Sequence, residues 1–348
     1  MLLELLVSKP VALDELHAVA QDGGREGAPM KRDVQPQVIS ASRRTDIPNH
    51  YASWFLQRLS EGFVLVRNVR DPHRVRRVDL SVDAVACIVF WTKNPAPLME
   101  YLPALAPYPY YLHYTITGYG TEMEPRIPPF SESIDRFRRL SDIIGPERII
   151  WRYDPIIITN TYPESYHMDL FGHMASRLKG YTERCVFSFV DQYRHLERQF
   201  DALGILPIET ESVNRLASNI AHVSTESGMR AVTCAEPYDL VEYGVEAGAC
   251  IDASLIERLS GYAISERKDR NQRPHCRCAP SIDIGMYNTC LNLCSYCYAN
   301  NDERLVHAHY AKARSTSKLI SGDLEPNDRV EEEPVGTKAP QLSLFGET

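Results

Sequence analysis

Three cysteines near the end of the chain, Cys290, Cys294 and Cys297, follow the pattern C-x-x-x-C-x-aromatic-C, with Tyr296 before the last thiol. Thiolates this close on one loop can hold three irons of a [4Fe–4S] cubane, and the lack of a fourth cysteine nearby leaves one iron open to another ligand. A structural zinc ion takes a closed set of four ligands instead, so the spacing favours the cluster and keeps zinc as the alternative. Four more cysteines offer a second site: Cys234 ends one apolar run, Cys250 follows it, and Cys276 and Cys278 lie just before another. Four thiolates can bind an auxiliary [4Fe–4S] cluster or a tetrahedral zinc, and the sequence does not choose between these. The competing reading is that some of them are buried as small hydrophobes. Cys87 and Cys185, each at the start of an apolar run, read as packing residues.

The elements that must position these thiols are short β-rich runs at 38–42, 86–91, 110–116, 148–153, 185–190, 229–234 and 281–285. Stretches with helical spacing lie between them, which predicts parallel βαβ units. The fold class is therefore α/β, and the number of strands points to a (β/α) barrel of about six to eight parallel strands. A hairpin is expected at 63–80, where FVLVRN and VRRVDL flank the turn-like RDPH. Barrel enzymes build their sites from loops at the carboxyl ends of the strands. One rim should then gather Arg43, Arg44 and Asp46, Lys93 and Asn94, Thr117 and Tyr119. Arg152, Asp154, Asp191, Gln192, Tyr193 and Glu236 join it, and of these Arg152, Asp154, Asp191, Tyr193 and Glu236 are the candidate catalytic side chains. Singly, each reads more readily as a helix cap or a surface ion pair. Their recurrence at successive strand ends makes the rim.

At 348 residues and 44% hydrophobic the chain can bury a large core. It has no apolar run of about 18 residues, and its opening lacks the basic region and cleavage site of a signal peptide, so a cytoplasmic protein without a membrane partner is expected. The net charge of −8 gives no general attraction to nucleic acid, although Arg67, Arg70, Arg74, Arg76 and Arg77 cluster locally.

The run YNTCLNLCSYCYAN resembles the cluster loop of radical S-adenosylmethionine (radical SAM) enzymes, most of all the branch containing spore photoproduct lyase. The resemblance implies that the open iron chelates the amino and carboxylate groups of S-adenosylmethionine (SAM), which is cleaved to a 5′-deoxyadenosyl radical, with a flavodoxin or ferredoxin as electron donor. Most members of that superfamily carry the loop after the first barrel strand, whereas here it follows the last, so a circularly permuted barrel is implied. Ser42, Arg43, Arg44 and Asp46 would then stand where family members hold the amino group of SAM, with Asp46 the first choice, and Lys93, Asn94 and Tyr296 complete the implied cofactor set. ISASRRTDIP, VFWTKNPAPL, IWRYDPI, TCAE, DRNQRP and the cysteine loop together resemble the DUF1848 family over roughly residues 38–312.

The ends of the chain read differently. Residues 1–36 are expected to form a flexible extension, and from residue 313 the composition becomes polar and charge-rich, which predicts a disordered tail. The tail carries Gln341, Leu342, Ser343, Leu344 and Phe345, and QLSLF resembles the peptide by which bacterial polymerases and repair proteins bind the replicative sliding clamp. The resulting expectation is a radical SAM enzyme that repairs or modifies DNA beside the clamp. RNA, peptide or small-molecule substrates are the enzymatic alternatives, and a non-catalytic zinc or iron–sulfur interaction module is the alternative from another class.

Overall fold

Apolar runs without polar interruption make strands that need cover on both faces. The computed structural model, which describes residues 34–191, 196–265, 267–332 and 336–337, shows what supplies that cover. Strand β1 (Gln37–Ala41) leads to helix α1 (Ala52–Glu61) and a hairpin of β2 (Phe63–Arg67) and β3 (Arg74–Asp79). Next come β4 (Val85–Thr92), β5 (Tyr110–Thr115), α2 (Phe130–Ile144), β6 (Ile149–Ile156) and α3 (Glu164–Leu178). They are followed by β7 (Arg184–Phe189), α4 (Thr210–Glu226), β8 (Arg230–Cys234), β9 (Glu246–Gly248) and α5 (Ala253–Ser260). The last elements used below are β10 (Ile282–Asp283), α6 (Glu303–Ala311) and β11 (Arg329–Glu332).

Eight strands form one parallel sheet in the order β9-β8-β7-β6-β5-β4-β1-β10. The fold is thus α/β, with the sheet running from β9 at one side to β10 at the other. The first and last of the expected strands are neighbours, with Ile39 opposite Ile282 and Ser40 opposite Asp283. Strand β9 has no β-rich signal in its sequence. It needs only a close approach to β8, where a Cβ on Gly248 would overlap the Val232 side chain.

The two faces of the sheet are covered by different means. On one, Phe90, Leu112, Trp151 and Phe187 pack against Phe137 of α2, Phe171 of α3 and Leu216 of α4. The Trp151 and Phe171 rings stack at 4.6 Å. On the other, Val89, Tyr111, Ile150, Val186 and Val232 meet Cys250, Ile251, Leu255, Ile256, Cys278 and Ala279. Tyr111 donates from Oη to the Cys250 carbonyl, and His113 Nε2 bonds to the same oxygen, each at 2.8 Å. Cys87 and Cys185 are fully buried in their strands, in keeping with packing roles.

The expected hairpin is present as β2 and β3, paired antiparallel. The expected disordered tail is overturned as far as Glu332. Leu319 and Ile320 are buried, Trp54 Nε1 donates to the Ser317 carbonyl at 2.8 Å, and β11 pairs in parallel with β3. Composition counts charges without showing where they find partners. Here Arg67 meets Asp328 at 2.7 Å, Arg74 meets Glu331 at 2.8 Å and Arg77 meets Glu332 at 3.3 Å, so these arginines of the basic run face carboxylates of the same chain. The N-terminal extension up to residue 33, Gln192 and Tyr193, and the Gln341–Phe345 peptide lie outside the described residues. Among the described residues, no helix is long and apolar enough to cross a membrane.

Candidate functional site

Because the sheet is parallel, the segments leaving β1, β4, β5, β7, β8, β9 and β10 share one edge, and the cysteine loop is clasped to it. Asp283, at the end of β10, accepts bonds from Ser40 Oγ at 2.8 Å, Ser42 Oγ at 2.6 Å, the Arg43 amide at 2.9 Å and the Gly285 amide at 3.0 Å. The chain then turns so tightly that a Cβ on Gly285 would overlap Ser42 Oγ. Tyr51 donates to the Thr289 carbonyl at 2.6 Å, which fixes the loop just before its first thiol. Leu293 takes a left-handed φ of 51° between Cys290 and Cys294, a conformation uncommon for a bulky side chain.

Cys290 is buried and Cys294 and Cys297 are half-buried, and no disulfide joins them. Burial lifts the thiols of Cys290 and Cys294 well above their ordinary range, and Lys93 is the strongest opposing pull on Cys294. Burial alone would lower the Lys93 ammonium, but Glu124 and then Cys294 hold it above its usual value. Glu124 is the hub here. One of its oxygens accepts from Lys93 Nζ at 2.7 Å, from Thr117 Oγ1 at 2.7 Å and from Tyr296 Oη. No motif or spacing marks Glu124 in the sequence, because its three partners come from separate segments.

Asp46, the first choice for an ammonium ligand, has both oxygens engaged. Oδ1 accepts from the Asn49 amide at 3.1 Å, and Oδ2 accepts from the Lys93 amide at 2.8 Å and Asn292 Nδ2 at 2.9 Å. It ties the segments after β1 and β4 to the cysteine loop. Asn94 is likewise structural, donating to Asn49 Oδ1 at 2.9 Å and accepting from Arg136 at 2.7 Å. Arg43 lies 5.8 Å over the Trp91 ring and Arg44 lies 5.3 Å over Tyr287. Tyr119 is buried, donating to the Pro155 carbonyl and accepting from the Ile157 amide, each at 2.8 Å.

The other four cysteines also converge. Cys234 and Cys250 bring their sulfurs to 2.9 Å, and Arg152 Nη1 points at Cys250 Sγ from 2.8 Å. The Ile251 amide points at Cys278 Sγ from 3.4 Å, and the Cys278 amide at Cys276 Sγ from 3.5 Å. All four are buried and none is in a disulfide. Arg152 also pairs with Asp154 Oδ2 at 2.8 Å, and Ser188 Oγ donates to the same oxygen. Glu236 accepts from the Phe189 amide at 2.9 Å, and burial pushes its carboxyl up to about 7. Asp191 pairs with Arg273. A cavity of about 760 Å³ opens beside Glu236, Tyr238, Lys268, His275 and Cys276.

A single tetrahedral ion with bonds of about 2.3 Å sets its ligand sulfurs about 3.8 Å apart. Among the described residues, the trio of metal-capable side chains found mutually within 4.8 Å is His73, Glu325 and Asp328. That trio is a surface contact in which Asp328 already serves Arg67. By that measure neither cysteine set is preformed for a single ion.

Residues 38–299, from the first sheet strand to the end of the cysteine loop, match a family model described as a domain of unknown function, DUF1848. The chain belongs to the DUF1848 family. No curated protein and no solved structure matches it. The DUF1848 match takes in both thiol sets and the strand ends between them, and it stops before α6 and β11.

Proposed function

We propose that this DUF1848 chain is an iron–sulfur enzyme of the radical SAM type, with Cys290, Cys294 and Cys297 as the ligands of a [4Fe–4S] cluster. The observation that carries the reading is three unbridged thiols on one loop beside Lys93 at the carboxyl edge of a parallel sheet. When bound, such a cluster supplies an electron and an open iron that takes the amino and carboxylate groups of SAM. The reading treats the sheet as the wall of a barrel, permuted so that its cluster loop comes last. Lys93, kept charged by Glu124, offsets thiolate charge, while Tyr296 and Thr117 hold Glu124 in place. Arg44 offers a partly exposed cation for a ligand carboxylate.

DNA is the proposed substrate class, on the strength of the Gln341–Phe345 peptide and its likeness to clamp-binding segments. A base target would have to be unpaired or flipped out to reach the site. The test begins with anaerobic reconstitution and reduction, when the protein should show charge-transfer absorption and cleave SAM to 5′-deoxyadenosine. Cys294→Ala should lose both, and full cleavage by that variant would overturn the assignment. Leu344→Ala with Phe345→Ala should abolish binding to the bacterial clamp while SAM cleavage stays intact. No clamp binding by the native chain at high micromolar concentration would remove the DNA proposal and leave the radical SAM one standing.

A further inference from the structure

We infer that Cys234, Cys250, Cys276 and Cys278 hold a second metal centre, a closed tetrathiolate site for a thiophilic metal that ties the covering segment to the sheet. Three separate stretches bring these thiols together: the end of β8, the residue pair after β9, and the approach to β10. They form part of the apolar layer on the face away from α2, α3 and α4, among Val232, Ile251 and Ala279. Chance packing of small hydrophobes would leave the sulfurs surrounded by carbon. Here three of the four sulfurs have an N–H donor aimed at them, from Arg152, the Ile251 amide and the Cys278 amide. A thiol is a weak acceptor, whereas a metal-bound thiolate is a charged one that such donors suit.

The covering segment itself supplies a second reason. Between Ser260 and Ile282 the described residues contain no helix or strand, yet Cys276, Cys278 and Ala279 are buried against the sheet. Irregular stretches longer than about 12–15 residues are uncommon inside compact domains unless they are functional. Metal ligation supplies folding free energy to such a segment. Cys250 adjoins Cys234, at 2.9 Å, and Cys278, which in turn adjoins Cys276. A zinc ion would part that pair to about 3.8 Å and draw the others inward, and a cubane would part it further. In either case all four positions come from the protein, so the centre is structural and has no open site for SAM.

The experiment uses the full chain with Cys290, Cys294 and Cys297 all changed to alanine, purified anaerobically, with metal and sulfide analysis and circular dichroism. The expected result is a folded protein carrying about one zinc, or about four irons with sulfide, per chain, and the two arms identify the metal. A folded protein without metal, or one with a Cys234–Cys250 disulfide by mass spectrometry, would overturn the proposal. Should the variant fail to fold, the native chain is compared with Cys276→Ala/Cys278→Ala: loss of zinc, or of about four irons, from that variant supports the second centre, and unchanged metal content refutes it. Because this readout does not involve SAM, it stands or falls separately from the radical SAM reading.

Discussion

Glu124→Gln offers the sharpest test of how the cysteine loop is supported. The carboxylate is 4% exposed and its partner Lys93 is 12% exposed, 2.7 Å away, so the pair is screened little by water. Glutamine keeps an oxygen for Thr117 and Tyr296 but takes away the principal counter-charge of the buried Lys93 ammonium. Breaking a buried pair from one side costs about 3–5 kcal/mol. We expect the lower part of that range, about 3 kcal/mol, because two of the three bonds to Glu124 survive. The midpoint of thermal unfolding should fall by on the order of 5–10 °C. Lys93→Met should be similarly harmful, and the double variant should recover at least about 2 kcal/mol relative to the sum of the two, since each single change orphans the other's partner. Urea unfolding of the four proteins at pH 7 measures this directly. Two results would refute the reasoning: Glu124→Gln within about 0.5 kcal/mol of the native chain, or strict additivity in the double variant.

Two further outcomes test the fold. His167 is buried, with Nδ1 on Tyr153 Oη at 2.8 Å and Nε2 on the Ile157 carbonyl at 2.9 Å, and burial lowers its pKa from 6.5 to about 4. A depressed histidine stabilises the fold fully above pH 6.5 and loses that contribution as pH falls towards 4, so the native chain should lose roughly 2–3 kcal/mol between pH 7 and 4.5 from this group. His167→Gln should show a correspondingly shallower acid loss in urea titrations at the two pH values, and an identical loss would contradict the assignment. Deleting everything after Lys312 removes buried Leu319 and Ile320 and the acceptor for Trp54. At about 1.5–3 kcal/mol per buried aliphatic side chain this should lower stability by several kcal/mol, and an unchanged melting temperature would mean that the tail packs on nothing.

The strands β1 and β4 to β8 were readable because burial on both faces demands apolar runs, and that demand is local. The three-thiol loop was readable for a similar reason, since all three cysteines lie within eight residues. What escaped depends on distant partners. Strand β11 is RVEE, a sequence with no meaning as a strand until Arg74 and Arg77 of the hairpin form ion pairs with its glutamates. Glu124 is one acid in a loop, important only because Lys93, Thr117 and Tyr296 meet there. Asp46 was visible as a polar group after a strand, but its work as a tie depends on Asn292, which lies 246 residues away.

The clasp between β1 and β10 sets an order of events during synthesis. Ser40 and Ser42 wait for Asp283, 243 and 241 residues later, and at about 5–20 residues per second this takes roughly 10–50 s. Until then β1 can pair with β4 on one side only, and its other side is an open row of amides and carbonyls. The last strand of the sheet thus seals the edge left by the first, and only then does Asp283 anchor the turn from which Cys290, Cys294 and Cys297 emerge. The three thiols therefore reach their places only late in synthesis, and a chain interrupted before Asp283 would carry most of the sheet without the anchor that seats them.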